Sequence, residues 1–94
     1  MYIVRETFVT KPGMASKLAT LFKEVVPSTF GVKGRVMTDV VGPFNTVVLE
    51  YEVGELAEFD RIMKEYGERQ DIRERLKGFT DMYMSGGREI YRVV

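Results

Sequence analysis

The sequence predicts an α+β domain of element order β-α-β-β-α-β: four antiparallel strands with two helices on one face. Three observations lead there. Phe44 to Val53, FNTVVLEYEV, is dense in β-formers and alternates with a period of two. Two segments, after Pro12 and after Gly54, carry apolar residues at helical spacing. Gly42-Pro43 separates two strand-like runs whose residues match across a tight turn.

Taken in order, Met1 to Thr10 reads as a central strand. Tyr2, Val4, Glu6 and Phe8 share one face, and Ile3, Arg5, Thr7 and Val9 share the other. Lys11-Pro12-Gly13 punctuates, with Pro12 suited to the first turn of a helix. Met14, Leu18, Leu21, Phe22 and Val25 then define an amphipathic helix, expected to end near Val26 because Pro27 follows. Ser28 to Lys33 reads as a loop.

Gly34 to Val41 is the second strand, and Gly42-Pro43 turns it into Phe44 to Val53. With those two residues at the turn centre, Arg35 pairs with Glu50, Val36 with Leu49, Met37 with Val48 and Thr38 with Val47. Charge meets charge and apolar meets apolar, which fixes the register. Gly54 ends the hairpin. Leu56, Phe59, Ile62, Met63 and Tyr66 form the stripe of a long helix, weakened at Gly67 and continuing through Ile72 and Leu76 to Gly78. Asp81 to Val94 is the last strand, with Gly86-Gly87 expected to mark a bulge or bend.

Composition removes several functions. Lys plus Arg equals Asp plus Glu at fourteen each, without the cationic excess that nucleic-acid or polybasic membrane binding requires. The chain has no Cys, no His and no Trp, so disulfides, thiolate nucleophiles, Ser–His pairs, Cys/His zinc sites and His- or Cys-ligated haem are all excluded. The acidic residues do not fall at metal-cage spacings, so no metal is expected. MYIVRETF lacks the features of a signal or transit segment, and no apolar run approaches the roughly eighteen residues of a membrane span. One cytoplasmic domain spanning residues 1–94 is expected.

The sheet face turned away from the helices carries Ile3, Arg5, Thr7, Val9, Arg35, Met37, Asp39, Val41, Phe44, Thr46, Val48, Glu50 and Glu52. Its apolar members form too large a patch for a free surface. A second copy is expected to cover it about a two-fold axis, with Ile3, Arg5, Arg35, Met37, Val41, Phe44, Val48 and Glu50 at the interface.

The opening YIVRETFVTKPGM followed by an amphipathic helix, and the ending REIYRV, resemble the dimeric α+β-barrel superfamily, in its NIPSNAP-like and antibiotic-biosynthesis-monooxygenase-like branches. The resemblance spans the whole length and implies a ferredoxin-like subunit whose sheet closes a barrel with a partner's. It implies a ligand, where there is one, between helices and sheet. Residues facing that space are Tyr2, Glu6, Thr38, Asn45, Tyr51 and Tyr66. The superfamily includes haem-degrading members that use Asn, Trp and His, and this chain lacks the last two. No cofactor is expected.

Glu6 is the one candidate catalytic group. Among apolar neighbours its carboxyl would be raised in pKa and serve as a general base, unless it pairs with Arg88 or Arg92 and is structural. Tyr51 and Tyr66 offer hydroxyls to a polar substrate or are core residues, and turn chemistry explains Asn45. Met14, Met63, Met82 and Met84 are pocket lining or core filler. Three functions follow: a dimeric binder of a small apolar or aromatic molecule, a cofactor-independent monooxygenase or isomerase, and a purely structural or regulatory dimer. A cavity favours the first and a filled helix–sheet interface the last.

Overall fold

The fold follows from where the alternating strands bury their apolar sides. A computed structural model describes all residues 1–94, as β1 (Tyr2–Thr10), α1 (Ala15–Phe30), β2 (Gly34–Thr38), β3 (Thr46–Val53), α2 (Leu56–Glu68), α3 (Gln70–Arg75), a 3-10 turn (Phe79–Asp81) and β4 (Tyr83–Arg92). The sheet is antiparallel in the order β2-β3-β1-β4, with β1 and β3 central. Val4 on β1 and Val47, Leu49, Tyr51 and Val53 on β3 face the helices and are buried. Leu18, Phe22, Val25, Val26 and Phe30 from α1, with Ile62, Ile72 and Leu76, complete the core.

The long first helix differs from expectation at its end. It runs through Pro27 to Phe30 rather than stopping at Val26. Proline forgoes one helical hydrogen bond, but the extra turn buries Phe30 to 7% exposure, and the Ser28 hydroxyl donates to the Glu24 carbonyl at 3.2 Å. Gly31, in the left-handed conformation at φ 65°, closes the helix and donates its N–H to the Pro27 carbonyl. At the other end Pro12 lies in the preceding turn, outside the helix.

The hairpin register is the predicted one: Arg35 opposite Glu50, Val36 opposite Leu49, Met37 opposite Val48 and Thr38 opposite Val47. The turn is not. The ladder ends at Thr38, and residues 39–45 form a loop in place of the last strand residues and the Gly42-Pro43 turn. The cause is Asp39, whose carboxylate accepts from Phe44 N–H at 2.8 Å and Thr46 N–H at 2.9 Å. Phe44 and Asn45 are both at positive φ, 80° and 53°, which no strand accommodates. Val41 and Phe44 therefore leave the sheet face and are exposed at 96% and 79%.

The second long helix is broken at Arg69, which is extended at φ −85° and ψ 111°, while Gly67 stays helical. The Arg69 guanidinium folds onto Asp71 at 2.7 Å. The last strand starts at Tyr83, because Phe79–Asp81 is a 3-10 turn. Its irregularity lies at Met84, since Val9 pairs with Ser85 and Thr10 with Tyr83; the expected bulge at Gly86-Gly87 is absent. Gly86 sits in a regular stretch for another reason: a Cβ there would come within 2.5 Å of the Thr7 carbonyl oxygen.

Candidate functional site

Helix α1 packs on β2 and β3, and α2 on β3, whereas β4 packs chiefly on β1 and the 3-10 turn. The inner side of the sheet near β1 and β4 is thus incompletely covered. A cavity of about 310 Å³ opens there, between the sheet and the helices. Eleven of its fourteen lining residues are apolar or aromatic, so it favours a mainly apolar occupant.

Its wall is an aromatic cluster. Phe8 meets Phe22 and Tyr83 with ring centroids 5.0 Å apart in each case, and Phe79 meets Phe22 at 5.8 Å, Tyr83 at 6.0 Å and Tyr66 at 6.2 Å. Edge-to-face and tilted pairs at these distances rigidify a wall beyond the effect of area alone. The 3-10 turn, which Gly78 enables at φ 88°, aims Phe79 into the centre of this cluster.

Tyr51 is the polar feature of the interior. It is 2% exposed, and its hydroxyl is buried without a hydrogen-bond partner. Burial pushes its pKa well above the ordinary phenol value of 10.0; the nearby Glu6 charge raises it further, and Arg88 acts in the opposite sense. Tyr51 therefore stays a neutral donor. Burial likewise raises Tyr66, with a further contribution from Tyr83.

Glu6 and Arg88 sit opposite each other on β1 and β4 and form an ion pair in the cavity wall. The Glu6 side chain is 13% exposed, and the Arg88 guanidinium also lies over the Phe59 ring at 5.1 Å. Of the two alternatives for Glu6, the geometry is that of the paired, structural carboxylate.

Glu6, Tyr51 and Tyr66 thus come together around one cavity. The other three candidates do not join them. Tyr2 lies at the far end of β1 beneath the Arg92 guanidinium, 5.7 Å from its ring centre. Thr38 is exposed at the end of β2. Asn45 is in the 39–45 loop, where its carbonyl accepts from the Thr10 N–H at 2.8 Å and hydroxyl at 3.0 Å. Of the methionines, Met63 lines the cavity. Phe8, Phe79 and Tyr83 were not foreseen as lining. Phe8 was legible, two residues from Glu6 on the same face; the others depended on an unforeseen turn.

The outer face of the sheet holds Ile3, Arg5, Arg35, Met37, Val48 and Glu50, without Val41 and Phe44. Glu50 is its centre, with a side chain 9% exposed, bonded to Arg35 at 2.7 Å and to Arg5 at 2.9 Å. Burial alone would raise its carboxyl, but hydrogen bonds and charge from both guanidiniums outweigh this and hold it below the ordinary 4.5. Arg5 also stacks over Tyr91 at 5.4 Å, and the Tyr91 hydroxyl donates to Glu89. No three acidic side chains are grouped to hold a metal ion, and no helix is long and apolar enough to cross a membrane.

The sequence matches no protein-family model and no curated protein. Solved structures match over the full chain. An uncharacterized NIPSNAP domain protein from Burkholderia xenovorans superposes with a TM-score of 0.84 at 9% identity, covering 100% of this chain and 95% of its own. A NIPSNAP family protein from Agrobacterium tumefaciens gives 0.82 at 16% identity, covering 100% and 94%. An antibiotic biosynthesis monooxygenase gives 0.73 at 15% identity, covering 100% and 99%. Such identities speak to architecture: the chain has the ferredoxin-like α+β fold that NIPSNAP domain proteins share with antibiotic biosynthesis monooxygenase.

Proposed function

We propose that this chain is a homodimeric, NIPSNAP-like binding domain that takes a compact apolar or aromatic molecule between its helices and sheet. One observation carries the reading: a cavity of about 310 Å³, walled by aromatic rings, with the buried Tyr51 hydroxyl lacking a partner. A buried donor left unpaired is costly, and a ligand acceptor relieves that cost. The ligand therefore carries an apolar body and one acceptor for Tyr51. The dimer reading is supported by the half-buried Ile3, Thr7, Val9, Met37 and Val48 on the outer face.

The cavity weighs against a purely structural dimer. The antibiotic biosynthesis monooxygenase neighbour keeps cofactor-independent oxygenation or isomerisation as the alternative, but the carboxylate nearest Tyr51 is engaged by Arg88. Binding is the better-supported reading.

Native mass spectrometry of protein freshly purified from its own host, compared with the denatured mass, tests it. A dimer carrying an added small mass that leaves on denaturation is expected. With the released compound, Tyr51→Phe lowers affinity about five- to tenfold, the value of one neutral hydrogen bond. A dimer of bare mass that also fails to bind a panel of apolar aromatic probes rules the binding reading out.

A further inference from the structure

Of the fourteen residues that line the cavity, two carry charge, Glu6 and Arg88. They are partners in the β1–β4 ladder. Arg88 directs both its Nε and its Nη2 at one carboxylate oxygen, Oε1 of Glu6. The face of the guanidinium is taken as well, by the Phe59 ring of α2 at 5.1 Å. The pair is thus built into the wall from β1, β4 and α2, with the Glu6 side chain largely withdrawn from water. A pair of this kind adds little net stability over apolar residues of the same size. Its presence in an otherwise apolar and aromatic wall calls for another reason, and discrimination among ligands supplies one.

An anionic ligand finds the guanidinium already neutralised and the Glu6 charge beside it. To be held by Arg88 it has to displace Glu6, which then stands unpaired beside aromatic rings. A cationic ligand meets the converse, since it has to draw Glu6 away from Arg88. Either exchange replaces one ion pair with another while the ligand's own charge gives up its water, so it is unfavourable. An uncharged ligand avoids that cost. Its acceptor goes to the one buried polar atom without a partner, the Tyr51 hydroxyl. Tyr51 stands diagonally from Glu6 on the neighbouring strand, because Glu6 pairs with Leu49, two residues before it. Hydrogen-bond recognition and charge rejection therefore occupy adjacent positions on one wall.

We propose that the Glu6–Arg88 pair is a charge filter: it restricts the cavity to uncharged apolar molecules with a carbonyl or ether acceptor and rejects carboxylates and amines of the same shape. This rests on the binding reading above and adds its ligand class, with Glu6 and Arg88 as the residues that set it.

Probes of one shape and different charge test it by calorimetric titration at neutral pH: 2-acetonaphthone, 2-naphthoate and 2-naphthylmethylammonium. The native chain is expected to bind the ketone about tenfold or more tightly than either ion. Glu6→Gln keeps the shape of the wall and leaves Arg88 with an uncompensated charge. In that variant the affinity for 2-naphthoate rises about tenfold or more, while that for the ketone stays within about twofold. Arg88→Gln is the opposite case and raises the affinity for the ammonium probe instead. A native chain that binds 2-naphthoate as tightly as the ketone overturns the proposal. So do variants that still bind the ketone yet keep the native order of the three probes. Should a variant not fold, the native order and the other variant decide. A native chain that binds none of the three and carries no added mass in the native spectrum overturns the binding reading beneath the proposal instead.

Discussion

Glu50 is a carboxylate taken almost wholly out of water and given two guanidinium partners. Its folded pKa is depressed, so the stability it contributes is present above the unfolded value of 4.5 and is lost as pH falls through the lower folded value. Glu50→Gln is therefore expected to cost about 1–2 kcal/mol at neutral pH. In urea titrations the two proteins converge as pH falls through that lowered folded value. A difference that persists in acid would mean the loss is packing rather than charge. Glu50 and its partners were legible from strand alternation and turn position alone, because charge pairing admits one register. Tyr51 and Glu6 were legible for the same reason. Thr38 keeps its expected partner Val47 but does not line the cavity; Asn45 was misplaced because Asp39 ends the ladder early, and an acidic side chain collecting two backbone N–H groups leaves no periodic trace.

At the scale of the element, Pro27 inside α1 shows a local rule overridden by burial. The rule that proline stops a helix concerns one hydrogen bond and a ring clash; the turn it failed to stop buries Phe30 against the core. Pro27→Ala restores the missing donor. That gain of up to about 3 kcal/mol is offset by about 1 kcal/mol of added freedom in the unfolded chain. A net stabilisation of about 1–2 kcal/mol in the denaturation midpoint is expected. No gain would mean that the helix end is held in place by Phe30 alone. The break at Arg69 was equally hidden: Gly67 is the weaker helix former, yet the chain turns two residues later, where Asp71 receives the arginine.

For the whole molecule, the pairing of the first and third strands and the placement of both helices on one face were readable, the first from the element order and the second from which strand faces are apolar. The cavity was not, because it arises where β4 lacks helical cover, a property of assembled elements rather than of any one. On the proposed dimer reading, a small core beneath a half-apolar outer face makes stability depend on association. The thermal midpoint should therefore rise with protein concentration, as mass action requires of a dimer whose subunits fold together. A midpoint constant over a hundredfold dilution would be the mark of an independent subunit.

The lone hydroxyl of Tyr51 gives the chain an optical voice. With no tryptophan present, its near-ultraviolet signal comes from five tyrosines, and Tyr51 is held neutral far into alkali. In an alkaline absorbance titration it is the phenol that lags. A molecule seated in the cavity perturbs Tyr51 together with the lining Tyr66 and Tyr83, so occupancy can be followed by intrinsic emission, without a label.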